Sequence, residues 1–141
     1  MDLETAKREL GYHAGRGELN GSRVEVGFLW RLRPYKNLHL VEECFHHIIE
    51  CLRVIGPSIA SDSKRTIEID IVTDIASIIC FGRLWAVHEE GTLRRNKLIA
   101  KEEATQIEQW INRISWTWTM LLTTKNVDTA FEEYDREFRN K

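Results

Sequence analysis

Between Val41 and Ile55, seven apolar residues at 41, 44, 45, 48, 49, 52 and 55 recur at the i, i+3, i+4, i+7 spacing. That spacing places them on one side of an α-helix and on no single side of a strand. A face of this kind must be buried, so a helix from about residue 36 to Ile55 is the first element a fold has to accommodate. A second such face, Ile107, Trp110, Ile111, Ile114, Trp118, Leu121 and Leu122, predicts a long helix ending near Thr124. Glu102 and Glu103 fall in its opening turn, where carboxylates suit the positive end of the helix dipole. After Lys125, Asn126 or Asp128 can cap a last helix whose narrow apolar seam is Phe131, Tyr134 and Phe138.

The segment between the two long faces, about 63–90, is apolar on nearly every side from Ile71 onward, which predicts a central helix with neighbours all around it. A rival reading exists at its start, where β-branched Ile67, Ile69, Ile71 and Thr73 alternate as in a strand. Helix is favoured because no breaker separates this start from the segment that runs on from Asp74, and because Ala76, Leu84 and Ala86 are helix formers. Gly56 and Pro57 are expected to end the first helix and Gly91 the second. Residues 92–98 form a basic connector with room for one helical turn.

The amino-terminal part reads differently. Five of the eight glycines, Gly11, Gly15, Gly17, Gly21 and Gly27, fall there and discourage a long helix. Val24, Val26, Phe28, Trp30 and Leu32 then occupy every second position, which predicts an extended or single-strand segment over 23–33, and Pro34 biases Arg33 away from helix. The expected architecture is therefore all-α. An antiparallel up-down bundle of about four helices over 36–141 would be preceded by a loosely structured arm over 1–35.

Composition bounds the function. With 20 Lys and Arg against 22 Asp and Glu, the net charge is −2, which argues against a domain whose main work is gripping a phosphate backbone. Three cysteines without paired spacing, Cys44, Cys51 and Cys80, sit in apolar runs and suit a reducing compartment. The charged start MDLETAKREL does not read as a leader. Ile71 to Val87, interrupted by Asp74 and Arg83, is too short and too charged for a membrane span. A cytoplasmic protein is the expectation.

Four groups of residues could carry function. His39, Glu43, His46 and Glu50 form a polar stripe opposite the core face of the first helix, expected to be solvated or partner-facing, with His47 at its edge. The Glu43–His46 step is similar to the E-x-x-H of ferritin-like di-iron bundles, although no second such step occurs. Glu42, Glu43, His46 and Glu50, taken with Asp70 and Asp74 on the next helix, also look loosely similar to the acidic pairs of MazG-like nucleotide pyrophosphohydrolases. That resemblance implies a magnesium site on Glu43, His46, Glu50, Asp70 and Asp74 and a divalent-metal-dependent enzyme of nucleotide phosphates. Read from the residues, Asp74 among isoleucines needs a cationic partner, best an arginine, and isolated Arg83 poses the same question from the other sign.

The third group, Gln109, Arg113, Trp116, Met120 and Thr123, lies on the side of its helix away from the core stripe. Trp, Arg and Met are residues enriched at protein interfaces, so Trp116 is the expected anchor for another protein or a second copy of the chain. The alternative is that the amino-terminal arm or the last helix covers that side. The fourth group, Arg94, Arg95 and Lys97 with Lys64 and Arg65, lacks any nucleic-acid fingerprint and reads as solvated. No glycine-rich phosphate loop, G-x-S-x-G elbow or C-x-x-C pair is present, and Cys44 and Cys51 on an apolar face are expected to stay protonated and inert. The sequence thus leads to a helical bundle that needs no cofactor and acts by binding protein, as an adaptor, inhibitor, immunity-type or antitoxin-type module. The metal-dependent enzyme is the alternative.

Overall fold

A computed structural model describes residues 1–17, 26–61 and 66–139. The fold is all-helical, and no β-strand occurs among these residues. Helix α1, Leu3–His13, is capped by Asp2, whose carboxylate accepts the Thr5 N–H at 2.7 Å. Helix α2, Phe28–Leu32, is short, and Arg33 after it is extended, as a residue before proline should be. Helix α3, Leu38–Ala60, is capped by Asn37, and α4, Ile69–Gly82, runs into a π-helical turn at Arg83–Val87. Helix α5, Thr92–Arg95, is the single turn of the basic connector. Helix α6, Lys101–Thr124, ends at Lys125 in the left-handed conformation. Helix α7, Val127–Tyr134, is capped by Asn126 and continues as a π-helical turn, Asp135–Arg139.

Helix α3 packs against α6, α1, α2 and α7, while α4 packs against α1, α2 and α6. The buried side chains form one cluster to which α1 and α2 contribute Ala6, Leu10, Phe28, Leu29 and Leu32. Glu103 ties the start of α6 to the segment after α2. Its carboxylate accepts from the Ala100 N–H at 3.1 Å and from the Tyr35 hydroxyl at 2.5 Å. No described helix is long and apolar enough to cross a membrane.

Several expectations need correcting. The extended segment over 23–33 is not found: residues 18–25 lie outside the described part, and Phe28–Leu32 is helical. Alternation over five positions also contains an i, i+4 pair, and Phe28, Leu29 and Leu32 make a one-turn apolar face that buries completely. The start of the chain, expected to be loose, is helical over Leu3–His13. Gly56 and Pro57 do not end α3, which continues to Ala60. Pro57 forfeits one hydrogen bond of the ladder, and the helix runs only three residues past it, while Gly56 serves packing instead. A Cβ on Gly56 would stand 3.1 Å from Leu121 Cδ2 and 3.6 Å from Phe131 Cε2, so its absence lets α6 and α7 close on α3.

Helix α4 begins at Ile69 rather than near Ser63, and residues 62–65 lie outside the described part. It is not covered all round. Ile71, Asp74, Ile75, Ile78 and Gly82 are buried, whereas Ile69, Val72, Ala76, Cys80 and Phe81 are exposed. Gly91 does close this region: a Cβ there would lie 2.1 Å from the Leu84 carbonyl oxygen, an approach only glycine permits. Leu122, placed on the core face by its spacing, is also exposed.

Candidate functional site

Two polar constructions join α1 to the rest of the molecule. Asp74, 2% exposed on the inner side of α4, is gripped by Arg16, with Nε on Oδ1 at 3.0 Å and a terminal nitrogen on Oδ2 at 2.8 Å. This is the arginine that the sequence requires without identifying. The buried carboxylate raises the Arg16 pKa above its ordinary value through that hydrogen bond. Arg83 has a different answer: it is exposed, and its guanidinium donates to Asn112 Oδ1 at 2.6 Å.

The second construction was not legible in the sequence. The Phe28 N–H donates to His13 Nδ1 at 3.0 Å, and His13 Nε2 lies 2.7 Å from His47 Nδ1. A backbone N–H can only donate, so His13 Nδ1 is the acceptor and the neutral ring carries its proton on Nε2. His47 Nδ1 then accepts that proton's hydrogen bond, and His47 holds its own proton on Nε2. Both Nδ1 lone pairs are spent, so neither ring can ligate a metal without breaking the chain of bonds. This links α1, α2 and α3.

The residues of the magnesium alternative are not brought together. Glu43 pairs with His39 at 3.0 Å on the exposed side of α3. His46 is half-buried, with Nδ1 at 2.7 Å from the Tyr134 hydroxyl and its ring against Phe45 and Phe138. Glu50 lies 3.4 Å from Arg139 and 3.7 Å from Arg53. Asp70 is exposed, and Asp74 is committed to Arg16. Among the described residues, no group of three or more His, Cys, Asp and Glu is arranged to hold a metal ion. Burial pushes the Cys44 thiol up to about 11 and the Cys51 thiol up to about 12, so both stay protonated near neutrality, while Cys80 is exposed. Burial likewise raises the Tyr134 hydroxyl.

Trp116 stands outside the core, 47% exposed. It borders an open groove with Gln109, Arg113 and Phe138, and Met120 is packed partly into the core one turn further on. Arg113 donates to Glu137 at 2.9 Å, which ties the carboxyl-terminal turn to α6 beside the groove. Of the stripe, Gln109, Trp116 and Thr123 are exposed, whereas Arg113 and Met120 are half-buried and the arginine is already partnered. Of the basic group, Arg95 and Lys97 are exposed, and Arg94 is half-buried with a guanidinium nitrogen 3.4 Å from the Val87 carbonyl. Lys64 and Arg65 lie outside the described residues.

Another apolar surface lies on α4 and its π-helical continuation. Ile69, Val72, Ala76, Cys80 and Leu84 are exposed at helical spacing, one above another, with Ile69 73% and Leu84 50% exposed. Phe81 adjoins them and stacks on Trp85 at 5.3 Å, and the exposed indole of Trp30 lies across the same hollow. The apolar run was visible in the sequence, but its uniformity hid which side is bare. Comparison with known proteins adds no kinship: no family model, no curated protein and no solved structure matches this chain.

Proposed function

We propose that this protein is a binding module whose partner is another protein, held on the bare side of α4. One observation carries the reading: three large apolar side chains, Ile69, Val72 and Leu84, are exposed on one side of a single helix and its continuation, joined by Ala76 and Cys80, with Phe81 exposed on the flank. Burying a side chain of this size is worth about 1.5–3 kcal/mol, so a contiguous row left in water is the usual mark of an interface. The Trp116 groove, with Gln109, Arg113 and Met120 around it, is a second contact surface in this proposal, supported by the exposure of its indole. Adaptor, inhibitor, immunity-type and antitoxin-type roles all use such surfaces. The two-residue connection between α6 and α7 supports antiparallel packing of those two helices, and the reading retains an up-down order for α3, α4, α6 and α7. Free thiols suit a reducing compartment such as the cytoplasm.

The test compares wild type with an Ile69→Glu, Leu84→Glu double variant in affinity purification from the cells that make the protein. The expected result is unchanged thermal unfolding with loss of the protein that wild type retains. Equal retention by the double variant removes α4 as the interface. Trp116→Ala in the same assay should weaken the complex by about 2 kcal/mol if the groove contributes an anchor.

A further inference from the structure

We propose that the hollow between the end of α1, α2 and the end of α4 is a ligand site for a small aromatic carboxylate. The proposal concerns a small molecule and does not depend on α4 taking a protein partner. The cavity measures about 440 Å³, within the range of small-molecule sites, and its exposed lining is mainly apolar. Leu29 and Trp30 come from α2, Phe81 from α4 and Trp85 from the π-helical turn. Gly15, at φ +78°, turns the chain beneath the edge of the Trp30 indole, where a Cβ would be 3.7 Å from Nε1. Aromatic surfaces drawn from separate elements suit a flat ring by offset or edge contact.

Among the described residues of this lining, one charged group sets the ligand's charge. Arg33 places its guanidinium carbon 5.0 Å from the Trp85 ring centroid. A guanidinium held over a ring by this cation–π attraction uses none of its N–H donors in doing so. Among the described residues, no ion pair or hydrogen bond competes for the Arg33 donors. Among the described residues, no carboxylate lines the cavity. An arginine over an indole, with donors unspent among the described residues, on an aromatic hollow whose described lining holds no carboxylate, favours a ligand with a ring to bury and a carboxylate to accept two parallel N–H bonds. A cationic ligand would meet Arg33 as a like charge.

Three probes that share one ring test this: indole-3-acetate, indole-3-acetamide and tryptamine, carrying negative, neutral and positive side groups. Binding is read from the side-chain N–H signals of the five tryptophans in proton–nitrogen correlation spectra. Single Trp→Phe variants assign those signals. Indole-3-acetate should move the Trp30 and Trp85 signals and bind roughly tenfold more tightly than either other probe, the difference expected of a charge-assisted pair. Arg33→Gln should abolish the preference for the acetate while leaving thermal unfolding unchanged, since Arg33 is exposed. Equal binding of the three probes overturns the proposal, as does the absence of acetate-induced shifts at Trp30 and Trp85 or an acetate preference that survives Arg33→Gln.

Discussion

Helices α6 and α4 both lie against the core, yet the more polar of the two buries the larger share of its apolar residues. Helix α6 alternates charged residues with an apolar stripe, and Ile107, Trp110, Ile111, Ile114, Trp118 and Leu121 all disappear inside. Helix α4 is apolar through most of its length and buries only Ile71, Asp74, Ile75, Ile78 and Gly82. The difference lies in the neighbours. Helix α6 is packed by α3, α7, α4 and the π-helical turn, whereas α4 has α1, α2 and α6 on one side and solvent on the other. Apolar content states how much surface a helix could bury, and the surrounding elements decide how much it does bury.

The comparison breaks first at the inner side of α4. Ile75→Ala should cost about 3 kcal/mol in urea unfolding, the usual loss for a fully buried branched side chain, and Ile111→Ala on α6 should cost a similar amount. A loss below about 1 kcal/mol at Ile75 would mean that α4 is not seated as described. Arg16→Ala comes next, at about 2–3 kcal/mol, because it leaves Asp74 buried without its partner. The half-exposed arginine admits some compensating water, which keeps the loss toward the lower figure.

The thiols sharpen the contrast through pH. For Cys44 and Cys51 the folded pKa, at about 11 and about 12, lies above the unfolded value of 9.0. The unfolded chain therefore releases these protons first as pH rises, and stability present below pH 9 should decline progressively through the range up to about 12. Denaturation midpoints across that range, set against a Cys44→Ala, Cys51→Ala control, measure the decline. At pH 8 a thiol reagent should modify Cys80 on the open side of α4 quickly and the other two only on unfolding. The smallest effect belongs to that open side. Ile69→Ser should change the stability of the isolated chain by no more than about 0.5 kcal/mol, and a loss comparable to that of Ile75→Ala would show the side to be covered.

Much of the helical layout was legible because its signals are local. The faces of α3 and α6, the Asn126 cap and the extended conformation of Arg33 before Pro34 each follow from residues a few positions apart. Misreadings fell where a local signal admits two uses. Gly56 can release a helix end or admit a neighbouring helix, and only the position of Leu121 and Phe131 chooses between them. The alternation around Phe28 serves a strand or a single buried turn. The Trp116 stripe was readable as a face, whereas the Trp30, Phe81 and Trp85 hollow was not, because its walls come from segments some 50 residues apart.

By itself the sequence determined that this chain is helical, that its two longest amphipathic faces must be buried and that Asp74 needs a cation. The 3.6-residue period and the cost of an unpaired buried charge operate on residues or short segments, wherever the rest of the chain lies. The tertiary structure alone decided that the cation is Arg16, 58 positions away, that His13 meets His47, and that α4 keeps one apolar side in solvent. Such pairings depend on how whole helices stack, a choice set by the summed packing of the core rather than by any one residue's neighbours along the chain.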